Sequence, residues 1–253
     1  MRLGVFQAAC GGCTVGERFD RLSAALDAHD LDLVVCPELF ASGYLIDGHH
    51  RDLAERADGP SFRAMGRLAR QHGCAIAYGY PEAEGDKIYN SAALVGGDGT
   101  RLANHRKALP SPHSFEETSF ANGAPAPLAM LGGLRIAMAI CYEIEFPETA
   151  RRAALAGADL LLVPTALVDS WPSVAERMVP TRAFENGLWL AYANHGGSEG
   201  GKRYLGGSRI VAPDGSEPAV AGAGEDLIAA EIDADAVQAA RARLPYLRDC
   251  AFI

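Results

Sequence analysis

The chain has 253 residues, a formal net charge of -9, 49% hydrophobic and 22% charged residues. That acidic balance argues against a nucleic-acid partner, and no apolar run reaches the length of a membrane span. The N-terminal MRLGVFQAA reads as a strand rather than a signal peptide, and six scattered cysteines suit reduced thiols in a cytoplasm.

Leu3 and Val5 open the first strand. Thr14 then caps a helix, with Glu17 completing a capping box and Phe19, Leu22 and Leu26 forming the apolar stripe. Between strand and helix lies Cys10-Gly-Gly-Cys13, which reads as a turn or as a redox or metal-binding pair. No second CxxC or His pair completes a tetrahedral metal site, so no metal and no cofactor is expected.

Leu31 to Cys36 is a continuous apolar run, as a strand buried on both faces requires. Pro37 ends it and Glu38 follows, at the carboxyl end where active sites of α/β sheets form. Ser61 to His72 reads as a helix closed by Gly73, and Ala75 to Tyr80 as a strand. Ile88 to Val95 and Arg101 to Arg106 are strands joined by Gly96-Gly97-Asp98-Gly99. Lys107 ends the second of these. A long loop follows, ALPSPHSFEETSFANG, holding Glu116 and Phe120; its length marks it as functional.

Leu134 to Ile140 alternates as a strand and delivers Cys141, with Tyr142, Glu143 and Glu145 behind it. Pro147 starts a helix that Gly157 stops. A cysteine on such a strand-to-helix elbow has peptide N–H groups beside it, which is what a nucleophile forming an oxyanion needs. Asp159 to Val163 is a second buried strand ended by Pro164; Ser170 to Asn186 is mostly helical. Leu188 to Ala193, Gly207 to Ala212 and Leu227 to Ile232 are the last strands, and Asp233 to Leu244 closes the chain as a helix.

Two echoes run through the sequence in the same order. DLVVCPE at Asp32 returns as DLLLVPT at Asp159, and LVGGDGT at Leu94 returns as IVAPDGS at Ile210. They predict one α/β domain over residues 1–253. Two related β-α-β units would pack about an internal pseudo-two-fold, with helices covering the outer faces of two packed sheets.

Glu38, Lys107 and Cys141 all fall at strand ends. A thiol is mostly protonated at neutral pH and needs a base, which Glu38 could be; a neighbouring ammonium would favour the thiolate. Spacing alone does not select this trio over other charged residues.

Five segments make the selection: VVCPELFASGY, NHRKALP, AICYEIEFPE, TRAFENGLWLAYAN and GSRIVAPDG. Through them nearly the whole chain resembles the nitrilase superfamily of carbon–nitrogen hydrolases, nearest in look to the aliphatic amidase branch that includes 5-aminopentanamidase. The resemblance implies an α-β-β-α sandwich, commonly a homodimer or higher homo-oligomer. It implies a Glu–Lys–Cys triad on Glu38, Lys107 and Cys141, a thioester intermediate, and a second glutamate on Glu116. The backbone N–H of Tyr142 and Lys107 would hold the oxyanion. Tyr44, Trp171 and Phe184 are candidates for the pocket wall, and Glu116, Glu117, Glu143 and Glu145 for anchoring a substrate ammonium. Glu143 is expected chiefly to brace the loop, against Arg182. Tyr142, where nitrilases carry Trp, favours a small linear primary amide as substrate. Nitrilase, N-carbamoyl amide hydrolase and omega-amidase activity on the same triad are the alternatives.

Two rival motifs fall short. Gly196-Gly197-Ser198-Glu199-Gly200 spells G-x-S-x-G, but no helix pattern follows Ser198. The same loop lacks the Ser or Thr that a phosphate-binding loop carries after its lysine. A non-catalytic reading rests on Cys10 and Cys13 as a redox or metal-binding module, or on an inactive relative acting as a binding protein.

Overall fold

The computed structural model describes residues 1–9 and 11–252; the Cys10–Cys13 pair therefore lies partly outside the described residues. The strands, in chain order, are β1 (Arg2–Gln7), β2 (Leu33–Val35), β3 (Ala75–Glu84), β4 (Lys87–Val95), β5 (Arg101–Arg106), β6 (Ala129–Leu131) and β7 (Leu134–Met138). They continue with β8 (Leu160–Pro164), β9 (Trp189–Ala193), β10 (Ser198–Glu199), β11 (Lys202–Arg203), β12 (Arg209–Val211), β13 (Ala219–Val220) and β14 (Asp226–Glu231).

Two six-stranded sheets result, ordered β14-β1-β2-β3-β4-β5 and β13-β12-β9-β8-β7-β6. In the first, β1, β2 and β3 are parallel and β14, β4 and β5 join antiparallel. In the second, β7, β8 and β9 are parallel and β6, β12 and β13 join antiparallel. The two orders are the same pattern twice, so both echoed segments sit at equivalent places: the middle parallel strand and the final hairpin turn.

Period-two side chains explain the layers. Leu33 and Val35 of β2 meet Leu160 and Leu162 of β8 in a core between the sheets. Val34 faces outward, onto Leu22, Leu26, Met65 and Ala69 of the helices Val15–Asp27 and Pro60–His72. Leu161 and Val163 likewise face Ala150, Ala154, Val179 and Ala183 of the helices Pro147–Leu155 and Val179–Asn186. Strands buried on both faces must be apolar throughout, and the layering is the expected α-β-β-α sandwich.

Local signals hold closely. Thr14 and Glu17 form both bonds of the capping box, which stabilises a helix start by about 1 kcal/mol. The helix expected over Ser170 to Asn186 contains a π turn, Val174–Met178. Pro180 lacks the N–H that an α turn needs there, which accounts for the widening. Four short strands escape the pattern, β6, β13 and the two of the β10–β11 hairpin; two or three residues carry no readable period. No described helix is long and apolar enough to cross a membrane.

Candidate active site

Glu38 stands where the chain leaves β2 and turns. Leu39 takes φ 49°, and the turn packs so closely on β3 that a Cβ on Gly79 would lie 2.3 Å from the Leu39 nitrogen. Only glycine admits that approach. Lys107 continues β5, its N–H donating to the Asn90 carbonyl of β4 at 2.8 Å. Cys141 begins a single 3₁₀ turn, Cys141–Glu145, between β7 and the helix Pro147–Leu155. Its φ is 48°, a strain of about 1–3 kcal/mol for a non-glycine residue. The elbow therefore has an extra turn that the sequence reading did not include.

These ends converge. Lys107 Nζ donates to Glu38 Oε1 and Glu116 Oε2, both at 2.7 Å, and to Ser111 Oγ at 3.1 Å. Asn90 Nδ2 donates to Glu38 Oε1 at 2.7 Å, and Tyr44 OH donates to Glu116 Oε1 at 2.6 Å. Glu38, Glu116 and Lys107 are all buried. Buried charges persist only when paired this completely; removing one partner of such a cluster costs about 3–5 kcal/mol.

Glu38 is left with one special atom. Its Oε1 is held by Lys107 and Asn90, but its Oε2 is buried with no hydrogen-bond partner in the resting geometry. The Cys141 thiol is near enough to act on the same carboxyl. Burial pushes the Glu38 carboxyl up to about 7, opposed by Lys107 and reinforced by Glu116. Burial also pushes the Cys141 thiol well above the ordinary range, with Glu38 adding to the rise and Lys107 opposing it. Burial works against the Lys107 charge, but Glu38 and Glu116 outweigh it and hold its pKa above the usual lysine value. Glu116 is held below the ordinary carboxyl value, because Lys107 outweighs its burial. A carboxyl near neutrality thus stands by a protonated thiol, with a fixed cation and a fixed anion beside them.

Cys141 opens into a cavity of about 490 Å³ whose wall includes Tyr44, Ser111, Tyr142, Glu145, Trp171 and Lys202. A cleft of about 580 Å³ at the β5 edge, among Arg56, Glu82, Arg101 and Arg106, is lined by no Cys, Ser, Thr or Lys.

Residues 11–242 match the family of carbon–nitrogen hydrolases. A hydrolase encoded in the pqqF 5' region of Pseudomonas protegens is 43% identical, over 98% of this chain and 88% of that protein. An (R)-stereoselective amidase of a Pseudomonas species is 33% identical, over 88% and 80%. The NitN amidase from Nesterenkonia superposes with a TM-score of 0.85 at 33% identity, covering 97% of this chain and 98% of that one. The chain belongs to the carbon–nitrogen hydrolases. It is an enzyme, an amidase of the nitrilase superfamily.

The enzyme brings Glu38, Lys107, Glu116 and Cys141 together, with Tyr44, Tyr142 and Trp171 on the cavity wall. Phe184 does not line the cavity. It packs edge-on against Tyr246 with centroids 6.1 Å apart, because its helix turns that face outward beyond the second sheet. Glu143 is also absent from the cavity wall. It accepts from Ile140 N–H at 2.7 Å and Ala108 N–H at 2.9 Å and pairs with His105 at 2.8 Å, bracing both the cysteine and the lysine segments. Its partner is His105, not Arg182, which instead donates to the carbonyls of Ile144 and Glu145. Of the four acids proposed to anchor an ammonium, Glu145 is the one on the cavity wall; Glu117 is exposed and accepts from His113 N–H. Ser198 sits in the exposed β10–β11 hairpin with no helix behind it.

Asn90, His105, Ser111 and His195 were not singled out in the sequence. Asn90 and His105 carried a signal, each being polar inside a strand. His195 is buried after β9 and its Nε2 holds the Glu38 carbonyl at 2.7 Å.

Proposed function

We propose that the enzyme hydrolyses small linear primary amides to carboxylic acid and ammonia through a thioester on Cys141. The observation that carries this reading is Glu38 Oε2, buried and unpaired in a carboxyl on which Cys141 acts, while Oε1 is fixed by Lys107 and Asn90. Glu38 takes the thiol proton as Sγ bonds to the carbonyl carbon. The oxyanion forms near the Lys107 charge and accepts from the N–H of Tyr142, which the first turn of a helix leaves without an internal partner. The C–N bond breaks, and ammonia leaves with the proton held by Glu38. Glu38 next takes a proton from water, which attacks the thioester; the acid leaves and the thiol is restored. Glu116 keeps Lys107 charged and in place.

The solved relatives support a small aliphatic acyl group. The Nesterenkonia amidase has been solved with butyramide bound, and with the acetamide moiety of fluoroacetamide added at its active site cysteine. Glu145 gives the cavity wall a carboxyl group, beside the basic Lys202 and His113, so an amine-bearing amide is part of the same test. We further propose a cytoplasmic homodimer or higher homo-oligomer, using the exposed apolar Leu155, Phe184 and Tyr246; light scattering reads its mass.

Ammonia release should be measured over butyramide, pentanamide, 5-aminopentanamide and the matching nitriles. Amides should turn over, and Cys141→Ala should abolish turnover. A nitrile faster than every amide, or an active Cys141→Ala, would overturn the reading.

A further inference from the structure

An ammonium has three N–H donors and no acceptor. All three of Lys107 are engaged, by Glu38 Oε1, Glu116 Oε2 and Ser111 Oγ. The two carboxylate bonds are short, charge-assisted and buried, so neither is readily exchanged for an oxyanion. The Ser111 bond is longer, 3.1 Å against 2.7 Å, and Ser111 is on the cavity wall with Cys141 and Tyr142.

A serine hydroxyl that accepts from Lys107 keeps its own proton for donation. Among the described residues that proton has no acceptor, and Ser111 lines the cavity. Its position is fixed on several sides. Ser111 N–H donates to Glu116 Oε2 at 3.3 Å, and Ser114 Oγ donates to the Ser111 carbonyl at 2.7 Å. Pro110 and Pro112 flank it and stiffen the backbone. The same carboxylate, Glu116, thus sets both the lysine and the serine.

We propose that Ser111 is a further catalytic residue: its hydroxyl donates to the oxyanion while accepting from Lys107, so the lysine charge acts through the serine. The proposal rests on the amidase reading above. No bond to Ser111 is made or broken. As the Cys141 Sγ–carbon bond forms, the carbonyl oxygen gains charge and collects two donors, Tyr142 N–H and Ser111 O–H. When the C–N bond breaks, that charge returns to the carbonyl and the proton remains on Ser111 Oγ.

The test compares wild type with Ser111→Ala and Ser111→Thr in three assays: pentanamide hydrolysis, inhibition by butyraldehyde, and the pH dependence of Cys141 alkylation by iodoacetamide. Butyraldehyde adds the thiol across its carbonyl and places an oxygen where the oxyanion forms. Ser111→Ala should lower kcat about 100-fold with KM nearly unchanged, the loss typical of one oxyanion donor. Butyraldehyde inhibition should weaken in parallel, since the adduct resembles the transition state. Ser111→Thr keeps the hydroxyl and should restore both to within about fivefold of wild type. The alkylation profile should be the same in all three proteins, because Glu38 and Lys107 stay paired.

Unchanged kcat in Ser111→Ala would overturn the proposal. So would intact aldehyde inhibition with a shifted alkylation profile, which would mean that Ser111 only holds Lys107. A wild type inactive on every amide would overturn the amidase reading and this proposal together. A wild type that is active while Ser111→Ala equals it overturns this proposal alone.

Discussion

The two half-sheets share one strand order, yet only the first carries a carboxylate at the end of its middle strand. Glu38 follows β2 and Thr165 follows β8, and the two meet: Glu38 N–H donates to the Thr165 carbonyl at 3.3 Å. The difference lies in the neighbouring strand. Gly79 in β3 and Ala193 in β9 hold equivalent positions, bonding to the backbone at Pro37 and Thr165. Without a Cβ at Gly79 the chain after Pro37 can turn sharply at Leu39, φ 49°, carrying Glu38 into the cluster. Beside Ala193 the hydroxyl of Thr165 bonds instead to the carbonyl of Val163 at 3.1 Å. A strand end thus becomes a site only where its neighbour lets the backbone turn and a cation waits beyond it.

Three substitutions would break or sharpen this contrast. The largest effect is expected for Glu38→Gln, which keeps the shape and removes the base; kcat should fall about 10²–10⁴-fold while the protein still folds, since Glu116 keeps Lys107 paired. Steady-state ammonia release checks it, and near wild-type kcat would contradict the role. Next is Gly79→Ala, which gives the first half the residue of the second. Its Cβ would meet backbone, 2.3 Å from Leu39 N and 2.8 Å from Glu38 Cα. Overpacking of this kind costs about 1–3 kcal/mol, so urea unfolding should shift to lower concentration and activity should fall with it. A fully active, equally stable Gly79→Ala would show that the turn at Leu39 is not what places Glu38. The smallest effect belongs to Thr165→Ala, whose hydroxyl is bonded to backbone. Its kcat should stay within about threefold of wild type, under about 1 kcal/mol of barrier.

The sandwich was legible because its strands carry the pattern that burial on both faces imposes. Leu33 to Cys36 and Leu160 to Val163, inside the runs Leu31 to Cys36 and Asp159 to Val163, are apolar throughout and are followed by proline, and both proved to be middle strands. The positions of Glu38, Lys107 and Cys141 at strand ends were equally visible, though their convergence came from family resemblance and not from spacing. The cluster's supports were legible only as polar residues inside strands, at Asn90 and His105, with nothing to say what they touch. Asn90, Ser111 and His105 act through hydrogen bonds across 26 to 52 residues of chain or within a loop, and no local period encodes such contacts. Phe184 was misplaced for a related reason: an aromatic near a motif says nothing about which face of its helix meets the cavity.

The central claim is that Glu38 takes the proton of Cys141. The rate of Cys141 alkylation by iodoacetamide, followed by mass spectrometry from pH 5 to 9, tests it in wild type and Glu38→Gln. Glu38 must be ionised to act, and its carboxyl titrates at about 7. The wild-type rate should therefore fall as pH drops through about 7, by about tenfold per unit below it. Glu38→Gln should lose that limb and react slowly until the thiol itself ionises at high pH. The same limb in both proteins, or a label on a residue other than Cys141, would contradict the account.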